Sequence, residues 1–94
     1  MFAIAFDLIV KDARAHHPRG YQGAYADIGK ALRKYGFEGV QGSVYLTENQ
    51  DIGNLMAAIL ALKAMPWFPL CVRDVRGFKV ENWSNFTMIV KGTG

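Results

Sequence analysis

The chain has 94 residues, of which 51% are hydrophobic and 13% aromatic, a composition that excludes a disordered chain and suits one small domain. The formal net charge of +3 permits a polyanionic partner without requiring one. No apolar run is long enough to span a bilayer, the N-terminus lacks a signal-peptide pattern, and a single cysteine excludes an internal disulfide. We therefore expect a cytoplasmic protein that does not enter a membrane.

The first predicted element is a strand over residues 2–10, where the sequence alternates with period 2. One face is bulky and apolar, as a core-facing strand requires, whereas the other is small and carries one carboxylate, Asp7. A second face with so little polarity indicates that another surface covers it. An ionisable side chain at such a surface is a functional candidate. The alternative is that Asp7 ends the strand and pairs with an arginine.

A polar, basic loop is expected next, at residues 11–17, because no periodicity is present there. The adjacent His16 and His17 could bind a metal or transfer protons, although they could also be ordinary loop residues. An amphipathic helix follows, because apolar residues recur at spacings of 4, 3, 4 and 3 before Gly36, which is expected to end it. The apolar residues of this helix are Tyr21, Tyr25, Ile28, Leu32 and Tyr35.

A second strand is predicted at residues 40–46, with residues 37–39 forming either a short preceding strand or a bend. Alternation along this strand predicts that Gln41, Ser43 and Tyr45 share one face, opposite Val40, Val44 and Leu46. A capping box at residues 47–50 is expected to open a second helix with a buried apolar stripe. The stripe consists of Ile52, Leu55, Met56, Ile59 and Leu62.

The last predicted strand covers residues 70–80, where Asp74 and Arg76 interrupt the apolar positions. That interruption, followed by Gly77, predicts a β-bulge or a special site. Residues 82–94 are expected to form a docking arm for this subunit or its neighbour.

This order of elements predicts one α+β domain over residues 1–94, a ferredoxin-like split βαβ sandwich with both helices on one sheet face. The other face would be open in a monomer, so we expect a second copy to cover it in a homodimer. By strand parity this open face holds Ala3, Ala5, Asp7, Gln41 and Ser43.

Asp7, Ser43 and Asp74 are the candidate catalytic residues. Asp7 and Ser43 share a predicted face, and Asp74 interrupts a third strand. Near a twofold axis and among basic residues, such groups could serve phosphodiester chemistry, with the carboxylate as general base or Mg²⁺ ligand. The structural alternatives are that Ser43 is a small residue at a close approach, and that Asp74 forms a salt bridge with Arg73 or Arg76.

The same stretches carry a set of longer motifs. They are Ala-Ile-Ala-Phe-Asp-Leu, Ala-Tyr-Ala-Asp-Ile, Tyr-Gly-Phe-Glu-Gly-Val-Gln-Gly-Ser-Val-Tyr-Leu, Asn-Leu-Met-Ala-Ala-Ile-Leu-Ala-Leu-Lys-Ala-Met-Pro-Trp-Phe, Val-Arg-Asp-Val-Arg-Gly-Phe and Trp-Ser-Asn-Phe-Thr. In this order, over about residues 1–90, they resemble the VapD family, the virulence-associated D proteins.

The resemblance implies a small bacterial endoribonuclease with a ferredoxin-like fold, similar to the CRISPR-associated ferredoxin-fold endonuclease and acting as a homodimer. It implies that Asp7 is the catalytic carboxylate, paired with its mate across the twofold axis, and Ser43 and Asp74 also fall in matching motifs. Some VapD proteins are toxins held by a small cognate antitoxin, so the resemblance makes an antitoxin protein a candidate partner, and the sequence leaves open whether one exists. If the reaction uses Mg²⁺, Asp7 is the expected ligand.

Five basic residues are expected to contact the phosphates of RNA. They are Lys11, Arg14, Arg19, Arg73 and Arg76. Two mechanisms remain open: attack by the substrate 2′-OH with Asp7 as base, or attack by water activated on Mg²⁺. Two other functions also remain open, namely a non-catalytic dimer that binds a nucleic-acid duplex by shape, and an assembly module in which Asp7 is structural.

Overall fold

The computed structural model describes residues 1–92, which form four strands and five helices. The strands are β1 (Phe2–Leu8), β2 (Glu38–Gln41), β3 (Val44–Thr47) and β4 (Val72–Lys79). The helices are α1 (Val10–His16), α2 (Gly20–Arg33), α3 (Ile52–Ala64), α4 (Phe68–Cys71) and α5 (Thr87–Lys91). The sheet is antiparallel with the order β2-β3-β1-β4, which confirms the predicted ferredoxin-like α+β fold.

The core lies between the sheet and the two long helices, α2 and α3. β1 contributes Ile4, Phe6 and Leu8 to it, and α2 contributes Ile28 and Leu32. These positions are the bulky face of the first strand and the centre of the first apolar stripe, so both periodicity predictions are confirmed for them.

Gly77 permits the close approach of α3 to the sheet. Gly77 pairs with Ile4, and a Cβ atom added to it would lie 3.3 Å from the side chain of Leu55. Because glycine has no Cβ atom, the helix packs directly on the strand backbone at this point.

Among residues 1–92, no long helix crosses the centre of the opposite side of the sheet, and we term this side the open face. Cross-strand pairing places Ala3 between Leu46 and Phe78, and Ala5 beside Val44, on this face. These five residues define the open face. Phe78 is 42% exposed, so a large apolar side chain of this face lies in solvent.

The strand predicted at residues 40–46 is in fact two strands joined by a turn at Gly42 and Ser43. Gly42 has a φ of +44°, a left-handed conformation that favours glycine. Gln41 pairs with Val44 across the turn, so both lie on the open face, and Tyr45 lies in the core instead. The prediction that Gln41 shares a face with Tyr45 was therefore wrong, because the turn resets the alternation on which it depended.

Residues 11–17 were predicted to form a loop, and this prediction was wrong. The chain forms α1 there, and Ala13 on its inner side is fully buried. A helix of 7 residues with a small buried residue is too short to show an apolar period in the sequence.

The buried stripe predicted for α3 was wrong at two of its positions. Ile52 and Met56 are 69% and 57% exposed, whereas Ala58 and Leu62 are buried. α3 is apolar around most of its circumference, so its sequence does not identify the face that packs on the sheet.

After β4 the chain enters the predicted docking arm, of which residues 93 and 94 lie outside the described part. α5 belongs to this arm, and its apolar residues Ile89 and Val90 are largely exposed. The arm forms one wall of a cleft whose other wall is β2. Its docking role stays a prediction. Within the described part of the chain, no helix combines the length and the apolar character needed to cross a bilayer.

Candidate active site

A β-bulge brings an aspartate and an arginine together where β1 ends and β4 begins. Asp7 pairs with Asp74, and Leu8 pairs with Val72, so Arg73 is an extra residue in β4. Bulges of this kind re-aim a side chain. Arg73 Nη1 lies 3.6 Å from Asp7 Oδ2, and both side chains are more than half exposed. The sequence predicted a bulge further along this strand, and the structure has it at Arg73.

Asp74 is the cross-strand neighbour of Asp7 and has its own arginine partner. Arg76 Nε donates a hydrogen bond to Asp74 Oδ2 at 2.9 Å. This hydrogen bond, together with the negative charge of Asp74, raises the pKa of Arg76 above its ordinary value. The structural alternative for Asp74, a salt bridge with a neighbouring arginine, is confirmed for Arg76. A catalytic role for Asp74 stays a prediction.

Asp7 and Asp74 are the carboxylates at this end of the sheet that could hold a cation. Mg²⁺ commonly uses one or two carboxylates together with substrate phosphates. Each carboxylate already faces an arginine through its Oδ2 atom, Asp7 facing Arg73 and Asp74 facing Arg76. Across residues 1–92, no three His, Cys, Asp or Glu side chains are grouped as a metal site. The use of Mg²⁺ stays a prediction.

Three hydroxyl groups lie beside the end of β1, and we term Tyr21, Tyr25 and Ser43 the hydroxyl chain. The backbone N–H of Phe6 donates to the carbonyl oxygen of Ser43 at 3.2 Å, which fixes Ser43 beside β1. The hydroxyl oxygens of Ser43 and Tyr25 are 2.6 Å apart. The ring of Tyr25 packs on Phe6 with a centroid distance of 5.5 Å. Tyr21 lies one turn before Tyr25 on α2, and the two rings make an edge contact with a centroid distance of 4.8 Å.

Ser43 does not share the face of Asp7, and that prediction was wrong. The hydroxyl of Ser43 bonds to Tyr25 of α2, on the helix side of the sheet. Asp7 alternates with Ala5 and therefore belongs to the open-face side of β1. The prediction assumed one continuous strand over residues 40–46, and the turn at residues 42–43 interrupts the alternation of faces on which it depended. The two residues nevertheless lie at the same end of the sheet, on its two sides.

The negative charge of Asp7 reaches Tyr21. The pKa of Tyr21 is raised above its ordinary value by the hydrogen bond with Tyr25, next by burial, and then by the charges of Tyr25 and Asp7. Tyr21 therefore remains a neutral phenol at neutral pH. Both tyrosines were predicted only as members of an apolar stripe; their spacing of four residues, which places them on one helix face, was the signal that could have grouped their hydroxyls.

The remaining basic residues predicted to contact RNA lie outside β4. Lys11 and Arg14 are exposed on α1, the helix that follows the strand of Asp7. Arg19 points elsewhere, because its Nη2 atom lies 2.6 Å from Asp27 Oδ1 on α2. The structure thus groups only the two arginines of β4 with the aspartates, and RNA contact by any of the five stays a prediction.

Comparison with known proteins identifies the family, although no family model matches the chain. The chain is 56% identical over 91 residues to a protein of Neisseria gonorrhoeae named endoribonuclease VapD homolog, covering 97% of this chain and 99% of that protein. It is 50% identical over 92 residues to the endoribonuclease VapD of Dichelobacter nodosus, covering 98% and 99% of the two chains. The chain belongs to the VapD family. A VapD protein of Haemophilus influenzae is 50% identical over 91 residues, covering 97% of this chain and 99% of that one.

In this VapD-family chain, the buried side chain of His17 forms a latch with Arg19 and Asp27, whose side chains are partly exposed. The backbone N–H of Arg19 donates to His17 Nδ1 at 3.0 Å, so the imidazole proton lies on Nε2, which is 2.7 Å from Asp27 Oδ2. The hydrogen bond from His17, and next that from Arg19, lowers the pKa of Asp27. Both ring nitrogens of His17 are engaged, so the metal-binding or proton-transfer role considered for the histidine pair does not fit His17.

Proposed function

We propose that the protein is an endoribonuclease of the VapD type that cleaves RNA phosphodiester bonds as a homodimer. The observation that carries the proposal is the pairing of Asp7 with Arg73 at the bulge. It joins a carboxylate able to accept a proton to a guanidinium able to bind a phosphate. The names of the relatives at 50% to 56% identity, endoribonuclease VapD, support the same activity.

In the proposed reaction Asp7 acts as general base on the 2′-OH of the substrate. The 2′ oxygen attacks the adjacent phosphorus, the bond from phosphorus to the 5′ oxygen breaks, and a 2′,3′-cyclic phosphate and a 5′-OH result. Arg73 binds the phosphate and offsets the charge that develops on it. DNA has no 2′-OH, so this route explains selectivity for RNA.

Mg²⁺ is a second candidate for the chemistry at Asp7. It would be held by Asp7 and Asp74 and would activate water instead of the 2′-OH. We favour the metal-independent route because the arginine beside each carboxylate already supplies the positive charge that a phosphate requires. Attack by water does not use the 2′-OH, so it would not explain a preference for RNA over DNA.

A second copy covers the open face in this proposal. The face consists of small or apolar residues, Ala3, Ala5, Val44, Leu46 and Phe78, and Phe78 is 42% exposed in the single chain. In the single chain Ala3 and Leu46 are already buried and Ala5 and Val44 are half-buried, so Phe78 is the large apolar side chain of this face that a second copy would cover. Asp7 lies on the same side of β1 as Ala5, and the proposal takes its pairing with the partner's Asp7 across the twofold axis from the resemblance to VapD proteins.

We further propose that the protein is the toxin of a toxin–antitoxin pair, a role that requires a surface for a small antitoxin protein. The outer side of α3 offers one, because Ile52, Met56 and Leu60 are each more than half exposed and repeat every four residues. This stripe is on the helix side of the sheet, away from the open face.

We place the protein in the cytoplasm, since a reducing compartment suits the buried, unpaired thiol of Cys71, whose pKa is raised by burial.

A non-catalytic dimer is the second candidate function. The apolar open face supports it, because such a face explains assembly without any chemistry. In that case Asp7 has a structural role, and its replacement should change stability or dimerisation, with no cleavage to lose.

The proposed reaction is tested with three labelled oligonucleotides of one sequence: RNA, DNA, and RNA with a single 2′-deoxy nucleotide at the cut site. Each is incubated with Mg²⁺ and, separately, with EDTA. We expect RNA alone to be cut, with a 2′,3′-cyclic phosphate end, in both buffers. Cleavage of the 2′-deoxy substrate, or its abolition by EDTA, would contradict the 2′-OH route and favour Mg²⁺. Absence of cleavage in every case would contradict the ribonuclease proposal.

A further inference from the structure

A cleft lies between the edge strand β2 and the arm that follows β4, and we term it the arm cleft. Its volume is about 440 Å³, within the range of roughly 300–1,000 Å³ that is usual for small-ligand sites. β2 provides Val40 and Gln41, and the arm provides the other lining residues, among them Trp83 and Phe86. These two aromatic side chains are 42% and 63% exposed, so much of each ring lies in solvent.

We propose that the arm cleft binds an unpaired base of the RNA substrate, and that the base stacks on Trp83. This inference rests on the proposed endoribonuclease function and deepens it, because it makes the substrate single-stranded beside the cut. An unpaired base has a flat face, and proteins that bind single-stranded RNA stack such faces on exposed aromatic rings. A base inside a duplex is already stacked on its neighbours and cannot bind in this way.

The polar side chains of the arm cleft suit a base and its phosphate. Gln41 and Asn85 have amide groups, which can hydrogen-bond to the edge of a base. The Oδ1 atom of Asn85 accepts a hydrogen bond from the backbone N–H of Thr87 at 2.9 Å, which fixes this amide at the start of α5. Among the lining residues that the structure describes, Lys91 alone is charged, and its positive charge suits the phosphate of the bound nucleotide.

The composition of the lining favours a base over an apolar peptide. Four of the nine lining side chains are polar and uncharged, and a fifth is the cation of Lys91. A groove that binds the apolar face of a helix is lined mainly by hydrophobic side chains. Aromatic rings, amides and a cation together are typical of surfaces that bind single-stranded RNA.

The register of the sheet places the arm cleft at the same end of the sheet as Asp7. Gln41 pairs with Val44, and Val44 pairs with Ala5, which alternates with Asp7 on β1. Two strand spacings, about 10 Å, separate β2 from β1, and two residues along β1 add about 7 Å. A short single strand of RNA can therefore extend from Asp7 to the cleft across the sheet.

The arm cleft also lies on the same side of the sheet as Asp7. Trp83 lines a second hollow together with Leu46, which is a residue of the open face. Phe78, the side chain that a second copy would cover, is on β4, the edge strand farthest from β2. Covering Phe78 in the proposed homodimer therefore leaves room for RNA at the cleft.

The test measures the binding of two labelled single strands of equal length by fluorescence anisotropy in EDTA. One strand is 2′-O-methyl RNA, which keeps its bases but has no free 2′-OH, so the proposed reaction cannot cut it. The other is an abasic strand, which keeps the phosphates and lacks the bases. We expect Trp83→Ala to raise the Kd for the 2′-O-methyl strand by about 10-fold, the effect of losing one stacked base, and to leave the Kd for the abasic strand unchanged.

Two further variants serve as controls. Trp83→Phe keeps an aromatic ring, so we expect its affinity for the 2′-O-methyl strand to stay close to that of the parent. Leu60→Ala shortens an exposed apolar side chain on α3, on the helix side of the sheet, and should leave both affinities unchanged. The ratio of the two Kd values is measured in one preparation, so it does not depend on how much of a variant is folded.

Two results would overturn the proposal. One is an equal loss of affinity for both strands in Trp83→Ala, because the loss would then concern phosphate contacts or folding. The other is a Trp83→Ala protein that binds the 2′-O-methyl strand as tightly as the parent. In that case, dissociation of the dimer by Trp83→Ala, measured by sedimentation velocity, would assign the cleft to a protein contact.

The failure of this inference is distinguishable from the failure of the proposed function. If the parent cuts RNA and Trp83→Ala binds the 2′-O-methyl strand normally, the base site fails and the ribonuclease stands. If the parent cuts no RNA but its binding depends on the bases and on Trp83, the ribonuclease fails and the base site stands.

Discussion

Arg73 reaches to within 3.6 Å of Asp7 because Arg73 is the extra residue of a β-bulge. In a regular strand Arg73 would alternate with Asp74 and point to the helix side of the sheet. The bulge removes it from the ladder and directs it at the carboxylate of the neighbouring strand. The proposed base and the proposed phosphate ligand are therefore joined by a backbone irregularity.

Replacing Arg73 should weaken RNA binding in a way that depends on salt. Arg73→Ala removes one proposed phosphate contact, so the slope of log affinity against log salt should fall by about 0.7 for single-stranded RNA. The matched control is Arg33→Ala, which removes the same charge from the far end of α2. Equal salt slopes for the two variants, measured by fluorescence anisotropy, would contradict a phosphate contact at Arg73.

Removing Asp27 should destabilise the latch. In Asp27→Ala the Nε2–H group of His17 loses its acceptor inside the protein, at a cost of about 1–3 kcal/mol in the free energy of unfolding. Urea denaturation measures this change. A stability within a few tenths of a kcal/mol of the parent would contradict a structural role for the latch.

The latch should also respond to acid. Because the folded-state pKa of Asp27 is lowered, the unfolded chain binds more protons than the folded one between the two pKa values, and stability rises with pH there. The contribution is fully present above about pH 5, well above the ordinary aspartate pKa, and is lost as the pH falls through the folded value. The stability difference between the parent and Asp27→Asn should therefore be constant above about pH 5 and shrink below about pH 4. A difference that does not change with pH would contradict the assignment.

The turn that carries Ser43 should tolerate asparagine better than alanine at Gly42. Gly42 has a φ of +44°, and no heavy atom lies within 4 Å of the position that a Cβ atom would occupy. The cost of Gly42→Ala is then the backbone strain alone, about 1–2 kcal/mol. Gly42→Asn should cost less, because asparagine enters the left-handed region more easily. Equal stability of all three proteins would contradict the turn conformation.

A charge on the open face should dissociate the proposed homodimer. Phe78→Glu puts a carboxylate in place of the exposed apolar side chain of the open face, and we expect the dimer dissociation constant to rise about 30-fold or more, the effect of losing a hot spot of about 2 kcal/mol. Met56→Glu is the control, since Met56 is exposed on α3 at the other side of the sheet. Sedimentation velocity measures the dimer dissociation constant of each variant. Dissociation by Met56→Glu but not by Phe78→Glu would move the interface to α3.

The sequence predicts the elements whose apolar period is strong and unbroken. Ile4 and Phe6 alternate cleanly in β1, and Ile28 and Leu32 repeat with the helical period in α2, so their faces were correct. The order of strands and helices then leaves few arrangements, of which the ferredoxin-like sheet is one.

The rest depends on local backbone changes that leave little trace in the apolar pattern. Gly42 was a visible turn residue, but a strand alternation that continued through it concealed the hairpin and put Ser43 on the wrong face. The bulge at Arg73 is set by pairing with a distant strand, which the sequence of β4 alone does not specify. The hydrogen bond between Tyr25 and Ser43 depends on both the hairpin turn and the packing of α2 on the sheet.

The rate of RNA cleavage by Asp7→Asn tests the central claim most directly. Asparagine keeps the shape of the side chain but cannot accept the 2′-OH proton, so we expect cleavage to fall by about 100-fold or more while folding and dimerisation are retained. Asp12→Asn, which removes a carboxylate from α1, is the matched control and should cut RNA at the parent rate. If Asp7→Asn cuts RNA as fast as the parent, Asp7 is not the base and the catalytic site lies elsewhere.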